Sequence, residues 1–242
     1  MTSRRCAVIV GAGTGTGAEL ARLLAAEGYP LVLARRDAKA LQPLVSEIEA
    51  DGGHALPIAA DAADEGAVAA LFDTAQQQFG PPELVVFNAA GITMGQTVDT
   101  SLAQFEDMWN ASARGGFLVG REAARRMLPL GSGSILFVGA TASVKSSAGF
   151  AAFACGKHGL RAIAGSLARE LGPLGIHVGH LIIDGIIDVP RVRERMPEMV
   201  QAKGDGGLID PKNIAATLLW LHCQPRDAWT FELDLRPFKE PW

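Results

Sequence analysis

Short, unbroken apolar runs alternate with longer stretches of helical spacing along most of this chain. Residues 6–10, 31–34, 54–60, 84–87, 135–138 and 176–183 are such runs, and they read as buried strands. Between them, apolar residues recur three and four apart over about 16–27, 38–50, 65–79, 101–127 and 150–171, which predicts helices. Gly28, Asp51-Gly52-Gly53, Gly80-Pro81-Pro82 and Gly131 to Gly133 punctuate the pattern. Strands without polar alternation are covered on both faces, which means a parallel sheet with helices on either side. The tail adds an alternating strand pattern, Phe231-Glu232-Leu233-Asp234-Leu235. The pattern predicts an α/β, doubly wound parallel sheet of about seven strands, a single Rossmann domain over residues 1–242 with ligands at the C-terminal ends of the strands. Residues 191–207 break the rhythm, being charged, Met-containing and glycine-rich, and read as a substrate loop or lid, or as a surface insertion. The aromatic tail (Trp229, Phe231, Phe238, Trp242) reads as packed, against the domain or another subunit.

The organising stretch is Val8-Ile9-Val10-Gly11-Ala12-Gly13-Thr14-Gly15-Thr16-Gly17, where a β-branched run meets glycine and a helical pattern begins at once. Glycines let the backbone turn sharply and approach a ligand, and a helix start offers free N–H groups and the positive dipole end to phosphate. Gly11-x-x-x-Gly15-x-Gly17 is the expected spacing, because the strand ends before Gly11; Gly13-x-Gly15-x-x-Ala18 is a second, looser register. An ordinary glycine-rich turn is the alternative.

Composition narrows the class. With 242 residues, 48% hydrophobic and 20% charged, at a net charge of −4, the chain is an ordinary soluble globular protein with no call for nucleic acid as its main partner. Cys6, Cys155 and Cys223 are too few and too scattered for a disulfide framework or a metal site, so a reducing cytoplasm is the expectation. The run after Arg4-Arg5 is too short for a signal peptide, and nothing approaches the ~18 apolar residues of a membrane span.

Several motifs, in order, resemble the short-chain dehydrogenases/reductases over nearly the whole chain. Gly11-x-x-x-Gly15-x-Gly17 is similar to the family's phosphate-binding turn, with Thr14 and Thr16 inside it. Asp61-Ala62 stands where the family's Asp flanks adenine, Asn88-Ala89-Ala90-Gly91 resembles its Asn-Asn-Ala-Gly, and Asp184-Gly185 replaces its Pro-Gly. The resemblance implies a nicotinamide cofactor held also by Lys157, through the ribose hydroxyls, and by Ile187. Arg35 and Arg36 end the second strand where an acid would select NAD, so NADP(H) is the expected cofactor. The family's habit of pairing its long helices implies a homotetramer or homodimer.

The catalytic pattern departs from the family. Its Tyr-x-x-x-Lys is here Phe153-Ala154-Cys155-Gly156-Lys157, its serine falls on Ala140 with Thr141 beside it, and its asparagine falls on Ser112. Asn110, at helical spacing, faces elsewhere. Phenylalanine has no proton to give, and general acid–base catalysis contributes roughly 10²–10⁴-fold. The replacement donor is sought among Thr141, Ser143, Asp184 and Ser112; Asp184 reads either as a raised-pKa acid or as a turn residue with Gly185. Cys155 reads as a small packing residue, His158 as surface or interface, and His177 and His180 as hydrogen-bonded structural groups. Two functions fit: an NADP-dependent oxidoreductase acting on a small carbonyl or conjugated enone with an atypical proton donor, or an NADP-binding scaffold or redox-responsive module without turnover.

Overall fold

The computed structural model describes residues 5–89 and 91–241. Seven strands, β1 Ala7–Val10, β2 Leu31–Arg35, β3 Ala55–Ala59, β4 Leu84–Phe87, β5 Gly133–Val138, β6 Ile176–Ile183 and β7 Glu232–Leu235, form one sheet in the order β3-β2-β1-β4-β5-β6-β7. Every neighbouring pair is parallel. The order reverses between β1 and β4, which opens a crevice at their C-terminal ends.

Continuous apolar strands serve two cores at once, because alternate side chains leave opposite faces. Ile9, Leu33 and Val86 pack on one side with helices α1 Thr16–Ala26, α2 Gln42–Ala50 and α9 Pro211–His222. Val8, Val32 and Val85 pack on the other with α3 Glu65–Phe79, α5 Gly115–Met127 and α6 Ala151–Leu171. Each fully buried aliphatic side chain of this kind contributes about 1.5–3 kcal/mol.

Four features differ from expectation. The helix expected over 38–50 opens with a tight 3₁₀ turn, Ala38–Leu41, which Asp37 caps by accepting from Lys39 N. The helical region expected over 101–127 is α4 Leu102–Trp109, a π-helical turn Asn110–Arg114, and α5. Glycines let α5 press closely on its neighbours: a Cβ on Gly116 would lie 2.2 Å from Leu160 Cδ1 of α6. The chain is locally wider at the π-helical turn, where Ser112 is buried and Asn110 is half-buried. Residues 191–207 are largely helical, with α7 Pro190–Arg195 and α8 Pro197–Lys203. Helix α9 has no counterpart in the sequence reading, although Asp210 caps it, Pro211 starts it and Ile214, Leu218 and Leu221 share its buried face.

The tail is packed in part. Trp229 stacks on His177 with ring centroids 5.0 Å apart, and Phe231 lies against the core, but Phe238 is exposed. Trp242 lies outside the described residues.

Candidate functional site

The turn after β1 is shaped by contacts that only hydrogen tolerates. Gly11 has φ +93°, and a Cβ there would lie 2.5 Å from Ala89 N at the end of β4. A Cβ on Gly17 would lie 2.7 Å from Gly11 O, and one on Gly15 2.8 Å from Val189 Cγ1. Gly13 faces open space. Steric need therefore follows the first register, Gly11, Gly15 and Gly17. Helix α1 starts at Thr16 without a side-chain cap, so its first N–H groups remain available to an anion. Thr16 Oγ1 is buried with no partner among the described residues, whereas Thr14 is exposed.

The neighbouring strand ends complete this rim. Asn88 Nδ2 donates to Gly11 O at 3.0 Å, locking the β4 end to the turn, and Ala89 forms its floor. Ala90 lies outside the described residues. Arg35 closes β2 and Arg36 is exposed beyond it. Asp61 accepts from Ala63 N at 2.9 Å, which shapes the turn into α3, and Ala62 packs against Gly115. Ile187 forms a parallel bridge with Ile209. These groups fit a dinucleotide: a close-approach glycine cradle, an orphaned buried hydroxyl, a free helix start and a cation at the end of β2.

A second cluster gathers at the ends of β5 and β6. Lys157 is 2% exposed, its Nζ donates to Val138 O at 2.9 Å, and burial pushes its pKa down to about 8. Ala140 opens a 3₁₀ turn, Thr141–Ser143, in which Ser143 Oγ accepts from Ala140 N at 3.1 Å. Thr141 Oγ1 donates to Asp184 Oδ1 at 2.5 Å, and Arg236 Nη2 holds Asp184 Oδ2 at 2.8 Å. Asp184 is thus neither an isolated acid nor merely a turn former. The Arg236 contact was invisible in the sequence, because it depends on β6 and β7 being neighbours. Ser112 Oγ is buried without a partner among the described residues, and Ser112 Cβ would lie 3.1 Å from a Cβ on Gly156. Phe153, half-buried, pairs with Phe150 at 6.5 Å between ring centroids.

Behind this cluster, His180 is fully buried on β6; its Nδ1 lies 3.0 Å from Glu232 Oε2, and Arg161 grips the same carboxylate at 2.6 and 2.8 Å. Burial pushes the His180 pKa down to about 4, so the ring is neutral near pH 7 and donates from Nδ1. Its Nε2 faces Gly139, where a Cβ would lie 2.4 Å away. His177 bonds Thr230 O at 2.9 Å. Both histidines are buried and hydrogen-bonded, as expected from the sequence. His158 is exposed, with Nδ1 2.9 Å from Ala154 O. Cys155 is exposed, so it does not serve as packing; the helix turns its position away from the core.

Comparison with known proteins gives a consistent picture. Residues 5–199 match the family model described as short chain dehydrogenase. A crystal structure of a short-chain dehydrogenase from Rhodopseudomonas palustris superposes with a TM-score of 0.84 at 40% identity, covering 96% of this chain and 98% of that one. A metagenomic short-chain oxidoreductase in complex with NADP superposes with a TM-score of 0.83 at 26% identity, covering 96% and 97%. An uncharacterized oxidoreductase of Staphylococcus aureus (strain N315) is 26% identical over 233 residues, 96% of this chain and 97% of the relative.

Proposed function

This chain belongs to the short-chain dehydrogenase family, and on that premise we propose that it is an NADP(H)-dependent oxidoreductase. It moves hydride to or from a small carbonyl, or a carbon conjugated to one, and uses a hydroxyl other than the family's tyrosine beside the reacting oxygen. The observation that carries this reading is Lys157, a charged group kept in a buried position with its ammonium at the end of β5. Burying an ammonium is costly, and its bond to Val138 O uses one of three N–H groups, so the other two favour ligand hydroxyls beside them.

The residues have separable roles. Gly11, Gly15, Gly17 and the start of α1 hold the pyrophosphate, with Thr14 and Thr16 beside it; Arg35 and Arg36 take the 2′-phosphate. Asp61, Ala62, Asn88, Ala89 and Ile187 line the remaining path, and Lys157 holds the nicotinamide ribose. When bound, the nicotinamide supplies or accepts the hydride. The retained neighbour of the family's serine position, Thr141, supplies the polar contact to the substrate oxygen, with Ser112 lining the far wall. Phe153 and Ala140 occupy the tyrosine and serine positions as shape alone. Val189, which precedes α7, lies against the Gly15 position, and the segment that follows it, α7 and α8, acts as the lid. The NADP complex of the metagenomic relative supports the cofactor choice.

Phe153 and Ala140 also favour a second reading, a cofactor-binding module without turnover, because neither carries a proton. Steady-state NADPH oxidation screened against aldehydes, ketones, quinones and enones separates the two. Turnover of any class supports the enzyme; tight NADPH binding with no turnover in every class supports the module.

A further inference from the structure

Helices α7 and α8 have no core of their own, since no residue of Pro190–Arg195 or Pro197–Lys203 is buried. At its base the segment is closed by main chain: Asp188 N donates to Ile209 O at 2.8 Å and Ile209 N to Ile186 O at 2.9 Å. A segment with so few buried apolar contacts opens at low cost. What holds its far end therefore decides how long it stays closed.

That far end meets the C-terminal tail. Lys203 Nζ, at the last position of α8, lies 2.5 Å from Glu240 Oε2, with the two side chains 27% and 19% exposed. A pair so shielded attracts more strongly than one in open water. Lys239 Nζ donates to Asp205 O at 2.7 Å. Phe238 lies against Gly206, where a Cβ would be 2.9 Å from Phe238 Cε1. The tail is itself seated on the end of β6. Pro237 is buried, and a Cβ on Gly185 would lie 2.7 Å from Pro237 Cδ. Arg236 Nη2 holds Asp184 Oδ2 at 2.8 Å, and Glu240 N donates to Pro237 O at 2.9 Å, which turns the chain back. A fixed strand end is thus tied to a segment that has no core.

We infer that residues 237–240 clasp the lid, with Glu240 and Lys239 as positioning residues that keep α7 and α8 closed on bound NADP(H) and slow its release. This rests on the NADP(H) oxidoreductase reading and adds to it the groups that govern cofactor exchange.

The test compares the full chain as wild type, Lys203→Ala, Glu240→Ala, the double variant and Lys203→Arg. Hydrogen exchange of the amides of residues 197–207, followed by mass spectrometry without nucleotide, reads the clasp alone. Both single alanine variants should exchange there at least about threefold faster than wild type, with the sheet unchanged. The double variant should match either single one, because both lose the same pair, and Lys203→Arg should behave as wild type. NADPH release, followed by stopped-flow fluorescence on displacement with excess NADP⁺, should quicken by a similar factor in the same three alanine variants. Unchanged exchange in the single variants, or additive effects in the double one, overturns the clasp. Faster exchange with unaltered NADPH release overturns its role in cofactor exchange. Failure of the wild type to bind NADPH overturns the oxidoreductase reading and that role together, and the exchange result then decides the clasp by itself.

Discussion

The ammonium of Lys157 donates to the carbonyl of Val138 at 2.9 Å, from a position 2% exposed. Burial moves its pKa from 10.5 to about 8, so the unfolded chain holds this proton more tightly than the folded one. Below about pH 8 the fold carries the whole cost of a buried charge; from there up to pH 10.5 stability rises as the folded lysine loses its proton first. Lys157→Met in the cofactor-free protein should be at least as stable as wild type at pH 7 and should lack that rise. The difference between the two should approach 3 kcal/mol in order of magnitude. Urea unfolding of both proteins at pH 7, 8, 9 and 10 measures it; parallel curves across that range would remove the premise of a costly lysine.

Gly11→Ala places a methyl 2.5 Å from Ala89 N at a φ of +93°, so the turn must separate from β4. The expected loss is about 2 kcal/mol or more. Gly13→Ala, facing open space, should stay within about 0.5 kcal/mol of wild type. Equal denaturation midpoints for the two variants would refute the assigned register.

Phe153→Tyr puts a phenol one helical turn before Lys157, on the same face of α6. If the pocket is otherwise competent, carbonyl reduction should appear or rise, by up to about 10²-fold. Ala140→Ser should help more in that background than alone, because groups that act as a unit are not additive. NADPH oxidation by wild type, both single variants and the double variant decides; four flat traces with cofactor affinity intact would defeat the competent-pocket reading.

Leu102, Phe105, Trp109 and Phe117 are exposed along α4 and α5, an apolar face that a monomer would leave in water. A dimer or tetramer is the expected species by light scattering at micromolar concentration, and a monomeric mass would count against it.

The strands were legible because each is a short, continuous apolar run, and the cradle because its glycines follow a strand and open a helix. Helix α9 escaped notice even though Asp210, Pro211 and its buried face are ordinary helix signals. The π-helical turn at 110–114 could not be read, since the apolar spacing through it continues as for an α-helix. The catalytic motif showed what is missing, Tyr and Ser at 153 and 140. It did not show the Thr141–Asp184–Arg236 chain, whose members lie far apart in sequence and meet only through the order of β5, β6 and β7.

Calorimetric titration of the wild type and Arg35→Asp with NADPH and NADH decides whether the cradle after β1 and the end of β2 are built for NADP(H). The wild type should bind NADPH at least about tenfold more tightly than NADH, as expected for charge-assisted bonds to the 2′-phosphate. Arg35→Asp should flatten or reverse that ratio, since the carboxylate repels phosphate and accepts ribose hydroxyls. No binding of either nucleotide by the wild type, or tighter binding of NADH, would overturn the proposed NADP(H) dependence.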